Sequence, residues 1–143
     1  MKELSKEDIA LMQLVSAIDL FNQRKFIPAL TLGAAAEELY SGLLKKYSSE
    51  NNINIQNSAD ITEGIFDLTY NIIGLENYKS QRNKYRNELK HHGEARNADY
   101  ISADFENLAR FHILDAIINN KLRTNHLPNN EVVKSYCEDN GIC

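Results

Sequence analysis

The chain contains no tryptophan, only two prolines and only six glycines in 143 residues. Glycine and proline are the residues that most often mark turns, so their scarcity argues against a sheet protein with many short strands. Long patterns of alternating polar and apolar residues at helical spacing fill the chain instead. With 43% hydrophobic residues, the chain is large enough for one domain with a real core. The sequence therefore predicts a single all-α domain.

Long hydrophobic runs are also missing. None approaches the roughly 20 apolar residues of a membrane span, and the start, MKELSKED, is too charged for the apolar part of a secretory signal. We therefore expect a soluble, cytoplasmic protein with no membrane partner. The net charge of −4 argues against general coating of nucleic acid, so any such contact should be local.

Cysteine is scarce, and both copies lie near the end of the sequence. Cys137 and Cys143 have no CxxC spacing and no histidine at a metal-ligand distance in sequence. This placement favours thiols over a disulfide or a zinc site. We predict no metal and no cofactor.

Local signals place the first two helices. Ser5 followed by Asp8 is a capping-box variant and predicts a helix over about Lys6 to Gln23. Pro28 suits the first turn of a second helix, because the N–H that proline lacks would have no partner there. This helix should run for about five turns, and its small residues 33–36 should let another helix approach closely.

Two ionisable residues fall among apolar ones on the predicted helices. Glu37 lies seven residues from both Leu30 and Leu44, so it either points inward and pairs with an arginine or histidine, or stays solvated on the surface. His112 lies beside Leu108 on the fifth predicted helix. We interpret it as a satisfied histidine in the core or at its boundary.

The remaining helices are predicted from caps and periodicity. Residues 48–60 form the main loop, and Asp60 with Glu63 resembles a capping box for a third helix that ends or kinks at Gly74. A fourth helix ends at Gly93, and Ser102 caps a fifth. The apolar positions of the third helix are Ile61, Ile65, Leu68 and Ile72. Those of the fourth helix are Leu75, Tyr78, Tyr85 and Leu89. Those of the fifth helix are Phe105, Leu108, Phe111, Leu114 and Ile118.

These helices divide the chain into two parts. Residues 1–123 form a helical bundle, and residues 124–143 form a polar C-terminal appendage. The appendage is broken by Pro128 and contains at most one short helix, around Glu131 to Tyr136.

The fourth helix carries the densest chemistry, in the stretch 79–93, KSQRNKYRNELKHHG. It contains a single carboxylate, Glu88, among its basic side chains, which are Lys79, Arg82, Lys84, Arg86 and Lys90, with His91 and His92 adjacent. One interpretation is a solvated basic face, or a partner for acidic residues such as Glu37 and Glu38. The other is a functional site.

The order of residues within that stretch resembles a known motif. Arg86 is followed by the polar Asn87, three further residues and His91, and catalytic members of the HEPN superfamily carry this pattern. The segment FNQRKFIPALTLGAAAEELYSGLLKK also resembles the first turn and second helix of that family, where small residues precede a glutamate. The likeness spans roughly Ile9 to Leu122. It implies an up-and-down bundle of four to five helices.

The resemblance further implies a metal-independent endoribonuclease that works as a two-fold homodimer with RNA as its substrate. Arg86, Asn87 and His91 would be catalytic. We also predict substrate binding by Arg82, Lys90 and His92, and a supporting role for Glu37. The setting would be a toxin–antitoxin or phage-defence system, with an antitoxin or nucleotidyltransferase partner.

Helix geometry limits which motif residues can point at the same target. Asn87 and His91 share a face, whereas Arg86 and His91 differ by about 140° around the axis. Either the helix unwinds near Gly93, or two copies of the chain supply one site.

Two alternatives remain open. His92 fits a spacing of five intervening residues, although His91 keeps the polar pair with Asn87 together. In the antitoxin-regulated branch a tyrosine follows two places after the histidine, and here Gly93 or Glu94 stands there, so adenylylation of that tyrosine is not expected.

The alternative function is a noncatalytic module that binds a nucleotide or a protein.

Overall fold

A computed structural model of the chain describes residues 1–62, 78–90 and 101–142. In these ranges all regular structure is helical, which confirms the all-α prediction. The helices are α1 (Lys6–Asn22), α2 (Phe26–Glu50), α3 (helical at residues 58–62), α4 (Tyr78–Lys90), α5 (Phe105–Thr124) and α6 (Glu131–Asp139). Within those same ranges, none of the helices combines the length and apolar character needed to cross a membrane.

The predicted start of the first two helices is confirmed. Ser5 Oγ accepts a hydrogen bond from the Asp8 N–H at 3.0 Å, and an Asp8 carboxylate oxygen accepts one from the Ser5 N–H at 3.3 Å. The chain then reverses through a tight turn in which Arg24 takes a left-handed φ of +61°. Pro28 falls in the first turn of α2, where its missing N–H has no cost.

The centre of the bundle is α2, which packs against α1 on one side and α5 on the other. Because Leu30 lies near Ala109 and Gly33 near Ile113, α2 and α5 run in the same direction. A Cβ added at Gly33 would stand 3.2 Å from Ile113 Cγ1. The predicted close approach at the small residues is therefore observed, and the approaching helix is α5.

The core is completed by α6, at the position where a polar appendage was expected. One short helix does form, and the side chain of Asn130 caps it by accepting from the Val132 N–H at 2.8 Å. Val133, Tyr136 and Cys137, however, are buried in the main core. They lie at positions i, i+3 and i+4, so they form one apolar face despite the polar composition around them. Cys143 lies outside the described residues.

The loop after α2 is shorter than predicted, since α2 continues through Glu50 and only residues 51–57 are non-helical before α3. The cap of α3 is Asn57, whose side-chain oxygen accepts from the Asp60 N–H at 2.8 Å. Asp60 is therefore the third helical residue and not the cap. Outside the described residues lie Glu63, Ile65, Leu68, Ile72, Gly74, Leu75 and Gly93 of the predicted third and fourth helices.

Both the cap and the buried face of α5 differ from prediction. Asp104, not Ser102, accepts from the Asn107 N–H at 3.1 Å. Phe111, expected in the core, is 39% exposed. The buried residues are Ala109, His112, Ile113, Asp115, Ala116, Ile117, Asn119 and Asn120. This face combines alanines and isoleucines with polar residues that form hydrogen bonds, and Ile113 fits against α2 because the facing residue is Gly33.

Candidate functional site

The helix that carries the motif, α4, packs on α2. Its Leu89 contacts the cluster of Ala29 and Leu30 from α2 and Ala109 from α5. This contact fixes α4 over the seam between the two parallel helices, as the predicted apolar position of Leu89 requires.

Arg86 lies against α2 and faces Glu38. The distance from Arg86 Nη2 to Glu38 Oε1 is 3.8 Å, with the arginine side chain 16% exposed and the glutamate 58% exposed. Arg86 Nε is buried and has no hydrogen-bond partner among the residues that the structure describes. A guanidinium group carries five N–H donors in a fixed fork. The contact with Glu38 therefore does not use all the hydrogen-bond donors of Arg86 within the described part of the chain.

Next to Arg86, the Asn87 side chain is exposed on the outer surface of α4. Lys84 is exposed as well, with its Nζ 5.3 Å from the centre of the Tyr85 ring. For Arg82 and Lys90 the structure describes only the backbone in α4. His91 and His92 lie outside the described residues, so the catalytic assignment of His91 stays a prediction.

Behind α4, the core holds a carboxylate paired with a histidine. Glu37 on α2 is 6% exposed and His112 on α5 is fully buried. The distance from Glu37 Oε2 to His112 Nδ1 is 2.5 Å. Of the two alternatives for Glu37, the inward one is therefore correct, and the prediction of a satisfied core histidine is confirmed for His112.

The close approach of the helices explains why this pair forms. A Cβ at Gly33 would lie 3.6 Å from His112 Cβ, and Glu37 follows Gly33 by one helical turn on the same face. Glu37 and Glu38 point about 100° apart around α2. Successive carboxylates thus contact two different helices, Glu37 contacting α5 and Glu38 contacting α4.

A second buried polar cluster was missed by sequence reasoning. Ser58 Oγ donates to Asp115 Oδ1 at 2.5 Å, and the Ser58 N–H donates to Asn119 Oδ1 at 2.7 Å. Together with His112, these α5 residues occur at positions i, i+3 and i+7, which is one helix face. That spacing was the available signal. The cluster fixes the first residue of α3 to α5.

A third polar contact joins α1 to the C-terminal end of α5. Arg123 Nη2 lies 2.6 Å from Glu7 Oε1. Burial, reinforced by the negative charge of Glu7 and partly offset by Arg123, raises the pKa of Tyr40 to about 12. Tyr40 is 1% exposed, so it stays neutral at physiological pH and belongs to the core.

Comparisons with protein-family models, with curated proteins and with solved structures found no match. The resemblance to the HEPN superfamily therefore depends on the residues of the motif and of α2 alone.

Proposed function

We propose that this protein is a metal-independent endoribonuclease of the HEPN type, acting as a two-fold homodimer whose composite site contains Arg86, Asn87 and His91. An up-and-down, HEPN-like arrangement of the helical bundle is part of the proposal. The observation that supports it best is the position of Arg86. α4 is fixed on α2 through Leu89, and it carries Arg86 with a buried Nε beside an exposed Asn87.

The proposed reaction needs no metal. His91 takes the proton from a ribose 2′-hydroxyl while that oxygen attacks the adjacent phosphorus and the bond to the 5′-oxygen breaks. The second copy's histidine can donate the proton that the leaving 5′-oxygen requires. Arg86 offsets the charge that develops on the phosphorane, and Asn87 orients His91 or a phosphate oxygen. The products are a 2′,3′-cyclic phosphate and a 5′-hydroxyl.

The contact between Arg86 and Glu38 is compatible with phosphate binding. At 3.8 Å, with Glu38 58% exposed, the carboxylate is screened by water, and the pair contributes less than about 1 kcal/mol. A phosphate, which can accept two parallel N–H bonds from guanidinium, can displace it. In this proposal Glu38 holds the arginine side chain in position until RNA binds.

The other motif residues have supporting roles in this proposal. Arg82, Lys90 and His92 contact the RNA backbone, since they lie close in sequence to Arg86 and His91 within the basic stretch 79–93. Glu37 supports the site indirectly, because its bond to His112 fixes the part of α2 that carries Glu38. The proposed setting is a cytoplasmic toxin–antitoxin or phage-defence system with an antitoxin or nucleotidyltransferase partner.

Cleavage of labelled structured RNA in excess EDTA tests the proposal. Wild type should release fragments with cyclic-phosphate ends, Arg86→Ala and His91→Ala should be inactive, and DNA should remain intact because it lacks the 2′-hydroxyl. Lys84→Ala is the matched control, since Lys84 is an exposed cation on the same helix. Equal activity in wild type and both motif variants would contradict the proposal, as would no cleavage of tRNA, mRNA and rRNA.

A noncatalytic module that binds a nucleotide or a protein is the second candidate. The observation in its favour is that Arg86 is only 16% exposed and already pairs with Glu38, as a structural arginine would. This candidate expects a nucleotide or partner protein to raise the melting temperature without any RNA turnover.

A further inference from the structure

A groove lies between the C-terminal half of α2 and the loop 51–57. Its volume is about 710 Å³, within the roughly 300–1,000 Å³ of small-molecule sites. The groups that line it are mostly hydroxyls and amides, with one lysine, one carboxylate and a few aliphatic side chains. The mechanism proposed above uses none of them.

The walls of this groove are held in place by hydrogen bonds. Ser48 Oγ donates to the Ile53 carbonyl and accepts from the Ile55 N–H at 3.1 Å. At the other end of the loop, Asn57 Nδ2 donates to Ser41 Oγ at 3.1 Å. Because both ends of the loop are tied to α2, a ligand would not have to order the loop, which lowers the entropic cost of binding.

The lining chemistry matches one nucleotide of single-stranded RNA. Lys45 is exposed and, within the described ranges, forms no ion pair, whereas the neighbouring Lys46 pairs with Glu50 at 3.8 Å. Asn52 and Asn54 are exposed amides that can donate to and accept from a base edge. Ile53 is 48% exposed and offers an apolar surface against which a base can lie.

The groove contains a partner for both the phosphate and the sugar of a nucleotide. Asp60 lines it together with Lys45. A carboxylate can accept hydrogen bonds from ribose hydroxyls, while Lys45 contacts a phosphate. A ribonucleotide provides both groups.

The groove also lies near Arg86. Ser41 and Lys45 follow Glu38, the partner of Arg86, by three and seven residues on α2. Seven residues correspond to about 10 Å along a helix. A phosphate held at Arg86 and a second one held at Lys45 can therefore belong to the same short stretch of RNA.

We propose that this groove binds a ribonucleotide of the RNA substrate next to the cleaved phosphate, with Lys45 on a phosphate and Ile53 against a base. This inference rests on the proposed ribonuclease function, which it deepens by giving the substrate a second contact. It acts on affinity for RNA and not on the chemical step.

Binding of a non-cleavable 2′-O-methyl RNA oligonucleotide, followed by fluorescence anisotropy, tests the groove without turnover. Lys45→Ala and Ile53→Ser should each weaken binding about tenfold. For Lys45→Ala the slope of log K against log salt should become shallower by about 0.7, as expected for one lost phosphate contact on a single strand. Lys46→Ala is the matched control, because Lys46 is adjacent and outside the groove lining.

Cleavage kinetics separate this inference from the proposed function. In an active enzyme Lys45→Ala should raise KM for long RNA with kcat unchanged and leave cleavage of a dinucleotide unaffected. If both groove variants bound and cleaved RNA as the wild type does, the groove would not be an RNA-binding site, and the ribonuclease proposal would be unaffected. Absence of cleavage by wild type would overturn the ribonuclease, and the anisotropy measurement would then decide whether the groove binds RNA. If Lys45→Ala and Lys46→Ala weakened RNA binding equally, the loss would reflect only the removal of one positive charge. That result would refute the proposed site.

Discussion

The buried pair of Glu37 and His112 gives the sharpest prediction on stability. Replacing His112 with leucine, or Glu37 with methionine, removes one partner of a pair that is at most 6% exposed. Breaking a buried pair in this way costs about 3–5 kcal/mol, out of a total unfolding free energy of about 5–15 kcal/mol for a typical domain. The double variant replaces both by apolar groups of similar size, so it should cost about 2–3 kcal/mol less than the sum of the single variants.

Urea denaturation followed by circular dichroism measures these differences. With a slope of about 2 kcal/mol per molar urea, each single variant should lower the midpoint by about 1.5–2.5 M. Glu38→Gln is the matched control, because Glu38 is the next residue on α2. Its side chain is 58% exposed, and its contact with Arg86 is long, at 3.8 Å. Its cost should stay below about 1 kcal/mol.

Two results would refute this reasoning. If the single-variant costs added up in the double variant, Glu37 and His112 would not be coupled energetically. If Glu37→Met cost no more than Glu38→Gln, the burial of Glu37 would carry no energetic weight.

Three further predictions follow from the packing. Gly42→Ala should stabilise the protein by about 0.5–1 kcal/mol, because, beyond its own helix backbone, none of the described residues places an atom within 4 Å of the added Cβ. Gly33→Ala should be destabilising, because its Cβ would meet Ile113 Cγ1 at 3.2 Å. Thermal melts compare the two variants. Ser58→Ala should cost about 1–3 kcal/mol by removing a buried hydrogen bond, measured by urea denaturation. Since the pKa of Tyr40 is raised to about 12 from about 10 when unfolded, its neutral form is favoured in the fold. That contribution to stability is complete below pH 10 and should fade between pH 10 and 12, and this loss should be absent in Tyr40→Phe.

Local signals in the sequence predicted local structure well. Ser5 with Asp8 marked the start of α1, and Pro28 marked the start of α2, because caps and first turns depend on residues a few positions apart. The small residues around Gly33 predicted a close helix contact. They could not say which helix would make it, since that depends on a segment distant in sequence.

The errors came from positions where tertiary contacts decide. The buried face of α5 was placed on large apolar residues such as Phe111, whereas the real face also contains Asp115 and Asn119, to which Ser58 donates hydrogen bonds. The pairing of Arg86 with Glu38 agrees with one of the two interpretations of the basic stretch. Which of its cations would contact Glu38 depends on how α4 crosses α2, and no helical period encodes that angle. In the tail, polar composition concealed the apolar face that ends at Cys137.

The parallel arrangement of α2 and α5 also has a consequence during synthesis. Glu37 and His112 are 75 residues apart in sequence, and ribosomes add about 5–20 residues per second. The face of α2 that carries Gly33 and Glu37 therefore waits about 4–15 s before its partner helix is made. During that interval the nascent chain can form the α1–α2 hairpin but cannot cover this face. A nascent chain stalled before α5 should thus depend on chaperones, and one that has emerged through α5 should depend on them much less.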